Sequence, residues 1–277
     1  MVPPIPPPSE ALSFGSLLRG WRQRRGVSQL ALGLQAGVSA RHLSFLETSR
    51  AHPSQAMVSR LAGALDLPLR ETNDLLLGAG FAPRYPQRAL DDAELSEARR
   101  ALQIILEMHE PNPAFVLDRY WQIILWNRTQ ALLFRNLHGR SGSPADLNAL
   151  DLVFVPGPVR ESFLNWEEVA VAVLRRLRRQ RARVGPADPL HDTWARLLAL
   201  PGVKALDRTT GTPTILVPMR MREGDRVLTW FSTLATFGAA GDITLEELVV
   251  ESFFPGDEIT RAFVAELAAS ERPACRP

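Results

Sequence analysis

The sequence predicts an α+β protein: an all-α module of five helices, then a larger domain in which a five-stranded antiparallel sheet is covered by helices. Three observations carry that expectation. Apolar residues recur at helical spacing in five short runs between Leu12 and Gly78, punctuated by glycine, proline and serine. Beyond Pro113 the apolar residues fall into stretches of strand length, first as a pair and again after residue 213 as a trio. Helical patterns separate the pair from the trio, and such segregation builds an α+β fold rather than an alternating one.

At 277 residues the chain is long enough for about two domains. The expected division is a disordered proline-rich tail over 1–8, a helical domain over 9–82, a linker over 83–92, a second domain over 93–270 and a tail over 271–277. Hydrophobic content of 45% and charged content of 22% are those of an ordinary globular protein. No apolar run approaches the ~18 residues of a membrane span. The opening MVPPIPPPSE has neither the basic start nor the apolar core of a signal peptide. The single cysteine, Cys275, excludes a disulfide framework and a thiolate metal cluster, and fits a reducing cytoplasm. A cytoplasmic protein without cofactor or membrane contact is expected.

Residues 9–90 hold ten arginines and no lysine against five acids, although the whole chain is only +2. A basic module on a mildly acidic body suits nucleic acid, and it equally suits arginines that simply solvate helices.

The first helical run, Leu12 to Arg25, places Phe14, Leu17, Leu18 and Trp21 on one side and Arg22, Gln23, Arg24 and Arg25 on the other. Gly26 stops it. Ser28 caps a second helix to Ala36, where Gly33 and Ala36 are small enough for another helix to cross closely. Gly37 suits a left-handed helix end. Ser39 caps the third helix, with Leu43 and Leu46 inward and Val38 as a staple. The fourth and fifth helices span Ser54–Leu65 and Leu69–Gly78.

At ~100° per residue, the side of the third helix opposite Leu43, Leu46 and Glu47 carries Arg41, Ser44, Phe45 and Thr48. A helix that enters the DNA major groove needs a guanidinium for guanine, hydroxyls for bases or phosphates, and an apolar group for a thymine methyl. SQLALGLQAGVSARHLSFLETSRAHPS resembles the lambda-repressor-like (XRE-type) helix-turn-helix: a Gln after the cap, a Gly-Val-Ser turn and Glu-x-(Gly/Ser)-Arg-x-x-Pro. Gln29, Gly37, Val38, Ser39, Glu47, Arg50 and Pro53 match. The resemblance implies that Gln29 and Arg50 contact phosphates of double-stranded DNA and that residues 40–45, with Ala40, Arg41, His42, Ser44 and Phe45, face the bases; the cap residue Ser39 belongs to the same DNA-binding set. For His42, a phosphate contact and an ordinary surface histidine are both open. Leu30 and Leu34 stand where the family shows polar residues, and they pack either on the second domain or on a partner subunit of a homodimer.

In the second domain, Asp91–His109 reads as an amphipathic helix with Leu95, Leu102, Ile105, Leu106 and Met108. Ala114–Asp118 and Trp121–Trp126 read as strands, and Asn127 as the cap of a helix to Leu137. Three more helices fall within 158–199, then strands over Thr214–Met221, Arg226–Phe237 and Ile243–Phe253, and a last helix over Glu258–Ala269. Glu223-Gly224-Asp225 makes the hairpin turn between the first two of those strands. Residues 226–237 are apolar or hydroxyl-bearing on both faces, as in a covered central strand.

This order fits a PAS-like arrangement with helices over one sheet face. The whole chain resembles the MmyB-like transcriptional regulators through PAFVLDRYWQIILWNRTQALLF, NWEEVAVAVLRRLR and FSTLATFGAAGDITLEELVVESFFPGDE. That resemblance implies a one-component regulator whose second domain binds a small apolar ligand such as a fatty acid. Trp126, Trp166, Phe231 and Phe237 are the expected walls, or else ordinary core. Asn127, Arg175 and Thr233 are the expected polar contacts. Arg175 and Arg179 lie one turn apart in a basic run that reads either as a carboxylate contact or as a solvated helix face. The alternative for this domain is a protein-interaction or dimerisation module without a ligand.

Motifs for catalysis are missing: no Gly-x-Ser-x-Gly elbow, P-loop, His-Glu-x-x-His helix or cysteine pair occurs. Asp188 and Asp192 beside His191 read as helix capping. Glu246, Glu247 and Glu251, on the expected last strand, would be split between its two faces.

Overall fold

The computed structural model of the protein describes residues 13–138, 143–208, 217–238 and 240–270. The expected tails, Cys275 and residues 214–216 of an expected strand lie outside them. The chain divides into two compact units. The first comprises the residues through Gln87 with the short segments 182–185 and 241–243, and the second the remainder.

Five helices build the first unit: α1 (Phe14–Arg24), α2 (Gln29–Ala36), α3 (Ala40–Glu47), α4 (Gln55–Ala64) and α5 (Leu69–Gly78). Serine hydroxyls at 13, 28, 39 and 54 each accept a backbone N–H of the first turn of α1 to α4, satisfying a donor that the helix itself leaves open. The buried side holds Leu18, Trp21, Leu32, Leu43, Leu46, Leu61 and Leu75 in one core. Gly37 takes the left-handed conformation at φ 65° and ends α2. A Cβ on Gly33 would lie 2.5 Å from the Val38 carbonyl oxygen. The turn itself, rather than a crossing helix, is therefore what requires glycine there.

The second unit starts with a 3-10 turn, Ala93–Leu95, and α6 (Ser96–Met108). Then come β1 (Ala114–Leu117), β2 (Ile123–Trp126), α7 (Arg128–His138), a 3-10 turn at Pro144–Asp146, α8 (Ala149–Phe154), α9 (Pro158–Ser162), α10 (Trp166–Arg181), α11 (Leu190–Leu198) and α12 (Val203–Asp207). The chain closes with β3 (Met219–Glu223), β4 (Arg226–Ala235), α13 (Ile243–Glu247), β5 (Val249–Pro255) and α14 (Glu258–Ala269). The sheet order is β2-β1-β5-β4-β3, antiparallel throughout.

Alternation separates two sheet faces. Phe115, Glu251, Phe253, Trp230 and Met219 share one face, because Phe115 pairs with Glu251 and Trp230 with Met219. Val116 and Val250 pair on the other. Helices cover both: α7 and α14 pack on Trp230 and Leu228, and α6 packs on Val116 and Val250. The expectation of helices over a single face is corrected accordingly.

Three further expectations change. The expected strand over Ile243–Phe253 is a helix followed by a strand, since Gly241-Asp242 followed by Glu246 and Glu247 is a helix-start signal that overrides the apolar run. The central strand is β5, not residues 226–237; β4 buries only Leu228 and Trp230. On α6 only Leu102 and Leu106 are buried, and Ile105 and Met108 face outward. The β3–β4 hairpin closes with Glu223 opposite Arg226 and Gly224 at φ 57°.

Candidate DNA interface and ligand cavity

The outer surface of α3 is set by what fixes its inner side. Leu43 and Leu46 are fully buried, and the Val38 N–H donates to the Gly33 carbonyl at 2.8 Å, so the turn before α3 is closed. Glu47, 7% exposed, accepts from Arg22 Nε at 2.6 Å, from Arg22 Nη2 at 3.0 Å and from Gln29 Nε2 at 2.8 Å. Burial alone would raise the Glu47 carboxyl. The hydrogen bonds from Arg22 and Gln29, with the charges of Arg22 and Arg19, outweigh it and hold the group below the usual glutamate range. One carboxylate thus joins α1, the start of α2 and the end of α3.

On the opposite side Arg41 is exposed and Ser44 and Phe45 are half-buried; Ser39, at the N-cap, is exposed, and Ala40 and His42, towards the inner side and the flank, are half-buried. The Arg41 guanidinium lies 5.5 Å from the Phe45 ring centroid, one helical turn away. It covers an aromatic face that water would otherwise meet. The Thr48 hydroxyl donates to the Ser44 carbonyl at 2.7 Å and closes the last turn. Ser49 then adopts φ 57°, and the exposed Arg50 follows, its N–H donating to the Phe45 carbonyl at 2.8 Å. Arg41, Ser44 and Phe45 thus share the outer side of α3, with Ser39 at its start and Arg50 just past its end, all reached by solvent. Gln29 differs, because its amide is held by Glu47. The partner missed in the sequence is Arg22, assigned there to the polar side of α1. The available signal was an acid on the inward side of α3, which demands a buried cation.

In the second unit a cavity of about 130 Å³ lies on the sheet face of Trp230 and Phe253. Phe115, Trp121, Leu133, Phe134, Val173, Met221, Trp230 and Phe253 give it apolar walls, and Gln130, Arg176 and Glu251 are its polar members. Arg176 Nη1 donates to Glu251 Oε2 at 3.1 Å, and the Ser232 hydroxyl donates to Glu251 Oε1 at 2.9 Å. The Arg176 guanidinium also stacks 4.2 Å from the Trp121 ring centroid. Trp121 is itself held, its Nε1–H donating to Gln180 at 2.9 Å. The buried indole N–H of Trp230 has no acceptor among the described residues.

None of the seven expected ligand residues is among these walls. Phe231 and Thr233 lie on the opposite sheet face, one residue out of step with Trp230 and Ser232, and Phe231 stacks on Phe254 at 5.1 Å. Phe237 packs with the α6 cluster on that same far side. Arg175 is one position short of Arg176. Trp166 donates its indole N–H to the Val153 carbonyl at 2.8 Å, beneath the Arg160 guanidinium. Trp126 and Asn127 border a separate, wider groove of about 880 Å³ between α6 and α14. The Asn127 amide is occupied there: Oδ1 accepts from Ala114 and Gln130 N–H, and Nδ2 donates to the Leu106 and Asn112 carbonyls.

The basic run of α10 is largely tied down. Arg176 turns to the cavity, Arg178 pairs with Asp207, and Arg181 meets His191 and the Trp194 ring. Another missed cation is Arg119, 7% exposed, which bridges Asp188 and Glu247. The acids Glu247 and Glu251 consequently serve separate arginines, Glu247 from α13 and Glu251 from β5, and the strand alternation expected across Glu246, Glu247 and Glu251 does not exist.

Among the described residues no helix is long and apolar enough to cross a membrane. A family model described as MmyB-like transcription regulator ligand binding domain matches residues 98–267, more than half of the chain. One described as helix-turn-helix domain matches residues 13–75. A comparison with curated proteins gives no match.

Proposed function

The chain belongs to the family of MmyB-like transcription regulators, and on that premise we propose a one-component regulator that binds double-stranded operator DNA through α3 and holds a small apolar ligand in its second unit. The observation that carries the DNA half is the group Arg41, Ser44 and Phe45 on a helix whose inner side is fixed by Glu47. Arg41 supplies a fork of donors for a guanine edge, Ser39 and Ser44 supply hydroxyls, and Phe45 supplies an apolar face for thymine methyls. Arg50, past the end of the helix, suits a phosphate. Such a protein works in the cytoplasm, where its operator lies.

The apolar cavity supports the ligand half. Its size fits a small molecule; a long acyl chain, as in a fatty acid, requires it to open further. The experiment for the whole proposal is selection of operator DNA from a random pool, followed by binding of Arg41→Ala and Arg50→Ala proteins. Base preference should relax at one position for the first, and affinity for all sequences should fall for the second.

A homodimer on a two-fold operator belongs to the same proposal, because one module of this size covers too little DNA for discrimination among genomic sites. The outer side of α6 supports it. Ile104, Ile105 and Met108 are exposed, the last by 81%, in line with the smaller Ala98 and Ala101. Antiparallel pairing with a second copy sets Ala101 against Ile105, Ala98 against Met108 and Arg99 against Glu107. Small side chains then meet large ones and opposite charges meet. Leu30 and Leu34, exposed on α2, offer only two side chains.

A further inference from the structure

We propose that the cavity of the second unit selects a small neutral ring compound whose one polar group both donates and accepts a hydrogen bond, as in a phenol, and that it rejects the matching carboxylate. This rests on the ligand-binding proposal above and narrows its ligand class.

Size comes first. A cavity of about 130 Å³ is close to the ~150 Å³ apolar cavity that accepts benzene. Its walls include the rings of Phe115, Trp121, Phe134, Trp230 and Phe253, which favour another ring through edge and offset contacts.

Charge comes second. Among the described residues the charged side chains in the wall are Arg176 and Glu251, joined at 3.1 Å, and their charges cancel. The pair is held from both sides: Ser232 bonds the carboxylate and the Trp121 ring covers the guanidinium. A carboxylate ligand has two ways in, and both are costly. Sharing Arg176 with Glu251 leaves a net negative charge among apolar walls, with two carboxylates competing for one cation. Displacing Glu251 leaves a half-buried acid without its counter-charge. A hydroxyl avoids both, since it donates to the carboxylate, accepts from the guanidinium and leaves the pair intact. The unpartnered indole N–H of Trp230 gives the same wall one donor in excess, which further favours a ligand carrying an acceptor.

The test is calorimetric titration of the full-length wild-type protein at pH 7 with benzene, phenol and benzoate, repeated on Glu251→Gln. Phenol should bind wild type at least about tenfold more tightly than benzoate, a difference of about 1.4 kcal/mol, and more tightly than benzene. In Glu251→Gln the guanidinium loses its counter-charge, so benzoate should gain at least about tenfold and reverse the order. Benzoate binding wild type as well as phenol would overturn the inference while leaving a ligand cavity. Benzene binding as well as phenol would do the same, by showing that the ion pair contributes nothing. If none of the three binds either protein, the ligand cavity itself fails and the inference with it. The wild-type comparison needs no variant, so a Glu251→Gln protein that melts early does not remove the test.

Discussion

Arg22, Gln29 and Glu47 come from three helices, and their hydrogen bonds fix the angle at which α3 presents its outer side. Because Glu47 binds its proton less readily folded than unfolded, its contribution is present above the usual glutamate range and is lost as pH falls through the lower folded value. Glu47→Ala, which leaves Arg22 without its carboxylate, should cost about 3–5 kcal/mol by denaturant unfolding. The milder Glu47→Gln should flatten the acid limb of the melting curve; an unchanged acid limb would contradict the role given to this carboxylate. Arg41→Ala should cost no more than about 1 kcal/mol of unfolding stability, its contact with the Phe45 ring, and about 1–3 kcal/mol of operator discrimination, read by fluorescence anisotropy on matched and mutated sites. At this scale the outward side of α3 was legible because helical spacing is local. Arg22 was not, because its partner lies 25 residues away in the chain. The cavity residues were missed by parity. Phe231 and Trp230 are equally apolar in sequence, and only the pairing with β3 and β5 decides which one faces the cavity.

Helix ends decide the architecture of the first unit, and they are written in single residues. Serine caps, Gly33 under the turn and Gly37 in the left-handed region were all readable, since each answers a local backbone requirement. Gly33→Ala should therefore destabilise the first unit by about 1–3 kcal/mol, because the added methyl lies 2.5 Å from a backbone oxygen and forces the turn to shift. A melting temperature equal to wild type would refute that contact. Later in the chain the same kind of signal was present at Gly241-Asp242 but was overridden by the apolar run that follows, so α13 was read as strand. On α6 the pattern carried two apolar sides, and spacing alone cannot tell which side meets the sheet. The exposed one makes a separate forecast: Ile105→Glu should turn a sedimenting dimer into a monomer that still unfolds cooperatively, its melting temperature no longer rising with protein concentration. A dimer that survives this substitution would move the interface elsewhere.

For the whole molecule, regulation requires that ligand occupancy and operator affinity be linked. A ligand that binds the DNA-competent and incompetent states equally shifts nothing, whatever its affinity. About 1.4 kcal/mol of coupling suffices for a tenfold effect, within the ordinary range for allosteric proteins. The link was not legible in either the sequence or a single conformation, since coupling is a difference between states. The most direct measurement takes a small molecule chosen only because it raises the melting temperature of the full-length protein. Operator affinity is then read with and without saturating amounts of it in one buffer, with Arg41→Ala as the control for specific binding. A change of about tenfold in wild-type operator affinity, with operator discrimination lowered by Arg41→Ala in both states, is the expected result. The same rise in melting temperature with operator affinity unmoved would contradict a ligand-controlled regulator.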